Sequence, residues 1–356
     1  MGEKDIFFDA HVLMGQAMER EGLKMVNLIS PGTGHVIDPV TFAEQMRLIA
    51  QHADKRLNHQ PHTLRFVTWT LKYSRCHWLE VLGMDKDYAR AEMVGRINGD
   101  TVEIDEPRNI TRFALLTSLL PKEVQKVKVG SLSLPIPTGP QSRGVVLTHN
   151  DGKWMIAGDS GKVILTGKRP GLQGPIDDAF TTPFLCVRGT GKAWNSGVQA
   201  YCDLSLKRFS NEWRHYFRGD LPIKDDTAVT EDDIRTRNLI LFGDPGSNSI
   251  IARALPHLPL KWSIDTMQLG GQTVAAKSHV PALITPNPLP GGENRYVVIN
   301  SGHTFRESEL AKLNYLLFPR WGDWALIEIS PGQTADQPLT ENVLRAGFFN
   351  GEWQFP

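Results

Sequence analysis

Apolar side chains recur at helical spacing near the start of the chain. Between residues 9 and 22 they recur at three- and four-residue intervals, which predicts a helix that Gly22 ends. A short apolar run, Lys24–Ile29, predicts a strand, and Asp38 followed by Pro39 predicts the start of a second helix. Helix, strand, turn and helix in this order form half of a doubly wound α/β unit.

From residue 63 the apolar positions alternate, as they do in strands. The segment Leu64–Leu71 is the first of them, and Asn98-Gly99-Asp100 is typical of a hairpin turn between two later ones. Short strands joined by turn residues predict a β-sandwich. The predicted strands are 64–71, 78–82, 91–97, 101–104, 110–116, 127–134, 144–148 and 153–157.

A third region follows a bridge rich in glycine and lysine at 141–175. Continuous apolar strands alternate there with helices, which predicts a parallel sheet covered on both faces, of the Rossmann or flavodoxin-like kind. The predicted strands are 184–187, 238–242, 282–285, 296–300 and, as the last, 324–329. The predicted helices are 196–217, 247–255 and 307–316.

Composition removes several classes of function. Lys and Arg together number 39, as do Asp and Glu, so no basic field would attract nucleic acid or anionic lipid. No apolar run reaches the roughly 18–20 residues that span a bilayer, and the first residues lack a signal-peptide pattern. We therefore expect a soluble and, as the chain stands, cytoplasmic protein that binds neither nucleic acid nor membrane.

The cysteines and histidines match no metal or redox pattern. Cys76, Cys186 and Cys202 have neither CxxC nor zinc spacing, and an odd, sparse count argues against a disulfide framework. The histidines form no H-x-x-x-H or H-E-x-x-H motif. We expect buried thiols, no metal and no cofactor.

Catalytic chemistry is indicated by Asp5 and His35. An acid after a tight turn, and a histidine after the next strand, are how an α/β-hydrolase places the last two members of its Ser-Asp/Glu-His triad. The carboxylate holds the imidazole tautomer while the imidazole moves the proton of the nucleophile. Glu3 is an alternative acid, and the spacing also fits a surface acid and an ordinary loop histidine.

Several segments, in order, resemble the carboxyl-terminal part of bacterial prolyl-oligopeptidase-like serine hydrolases, and the likeness covers nearly the whole chain. In large multidomain members, a β-sandwich and a second α/β module follow the α/β-hydrolase domain. The resemblance implies that Asp5 is the triad acid and His35 the base, acting on a small ester or peptide. The segments are Gly2–Asp5, Pro31–His35, Phe66–Tyr73, Arg169–Phe180, Asn238–Asn248 and Val297–Gly302.

The predicted fold class is therefore α/β plus β in three domains. Residues 1–60 are expected to be the carboxyl-terminal remnant of an α/β-hydrolase domain, 61–165 a β-sandwich, and 166–356 a parallel-sheet α/β domain. The sequence contains no G-x-S-x-G nucleophile motif and resembles a hydrolase cut just before its acid. We expect its exposed sheet edge to pack on the third domain, to form a homodimer or to dock on a hydrolase domain.

The nucleophile is expected either on a segment absent from this sequence or at one of three serines. Ser160 lies in a Gly-Asp-Ser-Gly sequence at a predicted hairpin end, where a simple turn is the alternative. Ser247 follows a buried strand and begins a helix, so it is either an exposed nucleophile or an N-cap. Ser301 follows another buried strand, and at the same sheet edge it would share a cleft with Ser247, His303 and Asp177 or its neighbour Asp178.

The leading interpretation is a serine hydrolase that cleaves carboxylic esters, with peptide cleavage less favoured because nothing resembles a propeller-like gate. His35 is its base and Asp5 its acid. The alternative is a non-catalytic accessory or substrate-binding region of a larger prolyl-oligopeptidase-like hydrolase. A third interpretation, nucleotide binding at Gly243–Ser249, rests on free N–H groups at a helix start and lacks a P-loop motif.

Overall fold

A computed structural model shows mixed α/β content with several sheets, some of them parallel. The chain forms two compact units, Met1–Pro61 and His62–Pro356. The structure describes residues 1–53, 55, 58–137, 144–159, 163, 165–305, 310, 320–330 and 341–356.

The first unit contains two helices close to their predicted positions, α1 (Phe8–Arg20) and α2 (Pro39–Ala53). Asp38 caps α2, because its carboxylate accepts hydrogen bonds from the backbone N–H groups of Val40 and Thr41. No described residue of either helix is buried. The first unit therefore leaves the apolar faces of both helices uncovered.

The strand predicted at Lys24–Ile29 is absent. An isolated parallel bridge joins Gly2 to Ser30, and the amino terminus of Met1 donates to the carbonyl oxygen of Leu28 at 2.9 Å. A strand needs a neighbouring strand that pairs with it over several residues. Residues 1–3 contact this segment only at its end, near Leu28 and Ser30. The prediction was wrong for that reason, and the described residues of this unit show no hydrolase-type sheet.

The described part of the second unit begins with ten strands in two five-stranded sheets. They are β1 (Thr63–Thr68), β2 (Arg75–Cys76), β3 (Leu79–Gly83), β4 (Ala91–Asn98), β5 (Thr101–Ile104), β6 (Arg112–Leu115), β7 (Lys126–Val129), β8 (Leu132–Pro135), β9 (Val145–Asn150) and β10 (Lys153–Asp159). The sheet orders are β1-β4-β5-β7-β8 and β10-β9-β6-β3-β2. Met93 of the first sheet and Phe113 of the second belong to one buried cluster, so the sheets pack face to face.

One predicted strand of this region is two strands. The run 127–134 folds into β7 and β8, which pair antiparallel. Gly130 between them has a φ of 56°, a conformation that glycine adopts without steric cost. A hydrophobic pattern alone does not distinguish such a tight hairpin from one continuous strand.

Ten further strands follow among the residues that the structure describes. They are β11 (Phe184–Arg188), β12 (Ile223–Asp225), β13 (Asn238–Phe242), β14 (Lys261–Trp262), β15 (Thr266–Leu269), β16 (Gln272–Ala275), β17 (His279–Pro286), β18 (Tyr296–Ile299), β19 (Trp324–Glu328) and β20 (Asn342–Gly347). Seven of them form the sheet β12-β11-β13-β18-β17-β19-β20, and β14, β15 and β16 form a small separate sheet.

The seven-stranded sheet is only partly parallel. Strands β12, β11, β13 and β18 run parallel, whereas β17, β19 and β20 pair antiparallel. The connection from β17 to β18 is too short for a crossover helix, and short connections favour antiparallel pairing. The prediction of a parallel sheet was therefore wrong for this half, and β19 is not the last strand.

Helices flank this sheet. They are α3 (Ser196–Glu212), α4 (Glu231–Thr236) and α5 (Ser249–Ala254), and a π-helical turn, Trp213–Phe217, extends α3. The helix predicted at 307–316 lies outside the described residues except for residue 310. No helix in the described part of the chain has the length and apolarity needed to cross a membrane.

Lys168 links distant segments of the second unit. Its ammonium contacts the carboxylates of Asp87 and, at 2.6 Å, of Asp323, and the lysine side chain is 2 % exposed. The ammonium also lies 5.2 Å from the centre of the Trp353 ring. These contacts join the β3–β4 connection to the seven-stranded sheet through one buried charge.

Candidate functional site

Asp5 and His35 form a hydrogen-bonded pair in the first unit. Asp5 Oδ2 lies 2.9 Å from His35 Nδ1, and Asp5 Oδ1 accepts the backbone N–H of Phe7 at 3.0 Å. The Asp5 side chain is 4 % exposed and that of His35 is 80 % exposed. A buried carboxylate thus holds one nitrogen of an imidazole that otherwise faces solvent.

Backbone contacts bring the two loops together. The N–H of Lys4 donates to the carbonyl oxygen of Thr33 at 2.8 Å. A Cβ on Gly2 would lie 1.8 Å from the carbonyl oxygen of Gly34, so only glycine fits at this approach. Glu3, the alternative acid, accepts the N–H of Gly32 at 2.7 Å instead of contacting the imidazole. Asp5 is therefore the carboxylate that binds His35.

The environment of Asp5 keeps its carboxylate ionised. The hydrogen bond from the Phe7 amide lowers the pKa of Asp5 most, and the hydrogen bond to His35 lowers it further against the opposing effect of burial. An ionised carboxylate accepts the Nδ1–H of His35, which leaves the lone pair on Nε2. This tautomer is the one that a general base requires.

If the esterase interpretation of the sequence is correct, Asp5→Asn should lower kcat for ester hydrolysis about 10²–10⁴-fold, because an amide no longer holds this tautomer or stabilises the imidazolium. Initial rates on p-nitrophenyl acetate measure the effect. Asp9→Asn, at an exposed acid in α1, is the matched control and should keep the wild-type rate. Equal rates for both variants would contradict the role of Asp5.

Ser247 is buried, so its placement as an exposed nucleophile was wrong. Its hydroxyl oxygen accepts the N–H of Asp244 at 3.0 Å and donates to the carbonyl oxygen of the same residue. Ser247 is not the N-cap either. Asn248 caps α5, because its side chain accepts the N–H groups of Ile250 and Ile251.

Ser301 and His303, two residues of the predicted cleft, contact other groups. Ser301 is buried, and its hydroxyl donates to the carbonyl oxygen of Gly302 at 2.7 Å. His303 is also buried, with Nε2 lying 3.2 Å from a carboxylate oxygen of Glu212. The Ser301 hydroxyl therefore contacts a backbone carbonyl, and the His303 imidazole contacts an acid.

The two acids of the predicted cleft serve other contacts. Asp177 accepts hydrogen bonds from the backbone and hydroxyl of Thr304. Asp178 accepts the Lys72 ammonium at 2.7 Å and the Tyr296 hydroxyl at 2.8 Å. Both carboxylates are thus used to join segments, and neither orients an imidazole in these contacts.

Carboxylates of the chain occupy the loop Gly243–Ser249. Asp244 accepts the N–H of Ser247 at 2.9 Å, and Asp226 accepts the N–H of Ser249 at 2.8 Å. A phosphate would need these N–H groups free. The structure thus disfavours the nucleotide-binding interpretation.

Ser160 lies outside the described residues. Within those residues, no group of three or more His, Cys, Asp or Glu side chains is arranged to hold a metal ion. The three cysteines carry free thiols, and burial raises the pKa of Cys186 and Cys202.

The sequence analysis did not predict the buried contacts of Lys168, because a single lysine in a glycine-rich bridge gives no periodic signal.

Comparison of the chain with family models, with curated proteins and with solved structures finds no match.

Proposed function

We propose that the protein is a serine hydrolase of α/β-hydrolase lineage that cleaves carboxylic esters, with His35 as the base and Asp5 as the acid. One observation carries this proposal: the 2.9 Å contact between the buried Asp5 carboxylate and the exposed His35 imidazole. The resemblance to prolyl-oligopeptidase-like hydrolases assigns the same two residues to the same roles.

The chemistry follows from this arrangement. His35 Nε2 takes the proton of a serine hydroxyl as its oxygen attacks the ester carbonyl, and Asp5 stabilises the imidazolium that forms. The imidazolium then gives the proton to the leaving alkoxide. In the second half of the reaction, His35 takes a proton from water as the water oxygen attacks the acyl-enzyme, and the imidazolium returns this proton to the serine oxygen as the acyl–oxygen bond breaks and the acid leaves.

The contacts of the described serines favour none of them as the nucleophile, and Ser160 lies outside the described residues. Residues 1–61 contain one serine, Ser30, which is buried and accepts the N–H of Asp38. Ser247 and Ser301 are buried with their hydroxyls bonded to their own loops. A nucleophile must come within about 3 Å of His35 Nε2 in the reactive complex. Burial opposes this approach for Ser30, Ser247 and Ser301.

One observation favours the second candidate function, a non-catalytic region that binds a hydrolase domain. Helices α1 and α2 bury no residue, and a mostly apolar groove of about 670 Å³ lies in the first unit. Its wall includes Val26, Leu28 and Ile49. Uncovered apolar surface of this kind marks sites that other protein surfaces occupy.

Serine variants assayed on esters test the proposed function. Wild-type protein should hydrolyse p-nitrophenyl acetate and leave peptide p-nitroanilides intact. Alanine at the serine that a fluorophosphonate probe labels should lower kcat about 10³-fold or more, whereas Ser247→Ala and Ser301→Ala, at buried serines, should stay within about twofold of wild type. Folded wild-type protein with no ester hydrolysis would reject the enzyme and favour the accessory region.

A further inference from the structure

Lys168 brings one amine and two carboxyl groups together inside the second unit. Its Nζ atom lies 2.6 Å from Asp323 Oδ2 and also contacts the carboxylate of Asp87. The side chains of Lys168, Asp323 and Asp87 are 2 %, 0 % and 11 % exposed respectively. The site therefore holds an amine, a carboxyl group in contact with it, and a second carboxylate that can carry protons.

Burial makes the ionised form of this cluster costly. One ammonium serves two carboxylates, and Asp323 Oδ1 has no hydrogen-bond partner among the described residues. Removing an ion from water is unfavourable even when the ion is paired, and burial raises the pKa of the Asp323 carboxyl group to about 6. Proton transfer from Lys168 to Asp323 replaces two buried ions by a neutral amine and a neutral acid, which are the forms that react.

Aromatic rings and a backbone amide hold the reacting groups in place. The ring centres of Trp353 and Phe348 lie 5.2 and 6.0 Å from Lys168 Nζ. The backbone N–H of Phe349 donates to Asp323 Oδ2 at 2.9 Å, and such a donor stabilises the negative charge that develops when a carboxyl carbon is attacked. Groups held in contact in this way react without the entropy cost of a collision.

We propose that Lys168 and Asp323 condense after folding into an intramolecular isopeptide bond, with Asp87 as the proton carrier. Lys168 first passes a proton to Asp323 Oδ2, and the lone pair of Nζ then attacks Cγ of the resulting acid. Asp87 takes one proton from the attached nitrogen and gives it to the hydroxyl of the intermediate. The C–O bond breaks, water leaves, and Asp87 ends as the carboxylate that it was at the start.

The bond joins two segments that lie 155 residues apart in the sequence. A cross-link that closes a long loop restricts the unfolded chain and so opposes unfolding. Chains that have not condensed keep the ion pair, and only these chains titrate at Asp323. The proposal is independent of ester hydrolysis, because it uses none of the residues proposed for that activity.

Mass spectrometry of the denatured full chain tests the bond. After storage of the folded protein near pH 6, at least part of it should be lighter than the sequence mass by one water molecule, with Lys168 and Asp323 joined in the peptide map. Protein stored in urea should keep its full mass, because the site does not form there. Folded protein that keeps its full mass and an unlinked Lys168 would overturn the proposal.

An exposed ion pair is the control within the same chain. Lys224 Nζ also lies 2.6 Å from an oxygen of Asp233, but the Lys224 side chain is 39 % exposed. Water keeps both of these groups ionised, so their peptides should remain separate. A link between Lys224 and Asp233 as frequent as that at Lys168 would show that contact alone, without burial, produces the bond.

Three variants separate the roles of the side chains. Asp323→Asn should form the same amide but lose ammonia in place of water, a mass change that a merely structural contact does not produce. Lys168→Arg keeps the cation and should keep the full mass, and Asp87→Asn should slow the condensation about 10²-fold or more. Loss of water in Lys168→Arg would place the reaction elsewhere, and an unchanged rate in Asp87→Asn would refute its role. The wild-type mass decides the proposal even where a variant does not fold.

Discussion

Lys168→Met is expected to destabilise the protein by about 3–5 kcal/mol near neutral pH. The variant keeps an apolar side chain but leaves the carboxylates of Asp87 and Asp323 without their shared cation. The Asp323 side chain is fully buried, so water cannot compensate for the loss. The thermal midpoint should fall by roughly 10 °C.

Two variants control this experiment. Lys72→Met removes a lysine that is 38 % exposed from Asp178, whose buried carboxylate keeps the Tyr296 hydroxyl as a donor, so we expect a smaller loss of stability than in Lys168→Met. Adding Asp323→Asn to Lys168→Met should restore part of the stability, because an amide removes one unpaired charge. A Lys168→Met midpoint equal to that of Lys72→Met would show that the buried contacts contribute little.

The stability of the fold is expected to depend on pH through the carboxyl group of Asp323. Burial raises the pKa of Asp323 from 3.8 to about 6, against the lowering effect of Lys168. The folded state therefore binds the proton of the Asp323 carboxyl group more tightly than the unfolded state does. The stability that this protonation contributes is present below about pH 4 and is lost as the pH rises to about 6. Without Lys168 the pKa rises further, so the variant should be closer to wild type at about pH 5 than at about pH 8.

His35→Ala is expected to lower kcat for p-nitrophenyl acetate by about 10³-fold or more, since the proposed reaction then has no general base. The side chain is 80 % exposed, so its removal should leave the fold intact, as circular dichroism can verify. His59→Ala, at an exposed histidine of the same unit, is the matched control. After the hydrolysis by imidazole alone is subtracted, imidazole in the buffer should restore part of the lost rate in His35→Ala and change neither wild type nor His59→Ala.

Either of two results would count against His35 as the base. The first is a wild-type rate in His35→Ala, and the second is an equal loss of rate in His59→Ala. A loss of rate accompanied by unfolding would instead show that the loop Pro31–His35 supports the structure of the first unit. Circular dichroism of each variant therefore accompanies every rate.

Local signals in the sequence predicted the elements that depend on local chemistry. Asp38 and Pro39 located the start of α2, because an N-cap and a proline act on adjacent backbone groups. The strand predicted from the apolar run at 238–242 is confirmed as β13. The strand predicted at Lys24–Ile29 was wrong, because a strand requires a pairing partner that local sequence does not specify.

The sequence predicted only the part of the candidate site that depends on local spacing. The spacing of Asp5 and His35 indicated a pair, and the structure places them in contact. The burial of Ser247 and Ser301 depends on packing between distant segments, which no local motif reports. The separation of Glu3 from the imidazole also depends on a contact across the loop, with Gly32.

Fluorophosphonate labelling of the wild-type chain and of His35→Ala, read by mass spectrometry, tests the central claim most directly. The probe reacts with serines that a neighbouring base activates. We expect one labelled serine in the wild-type chain and a strong loss of labelling in His35→Ala. Absence of labelling in folded wild-type protein, or equal labelling of both proteins, would contradict the assignment of Asp5 and His35 as the acid and base of a serine hydrolase.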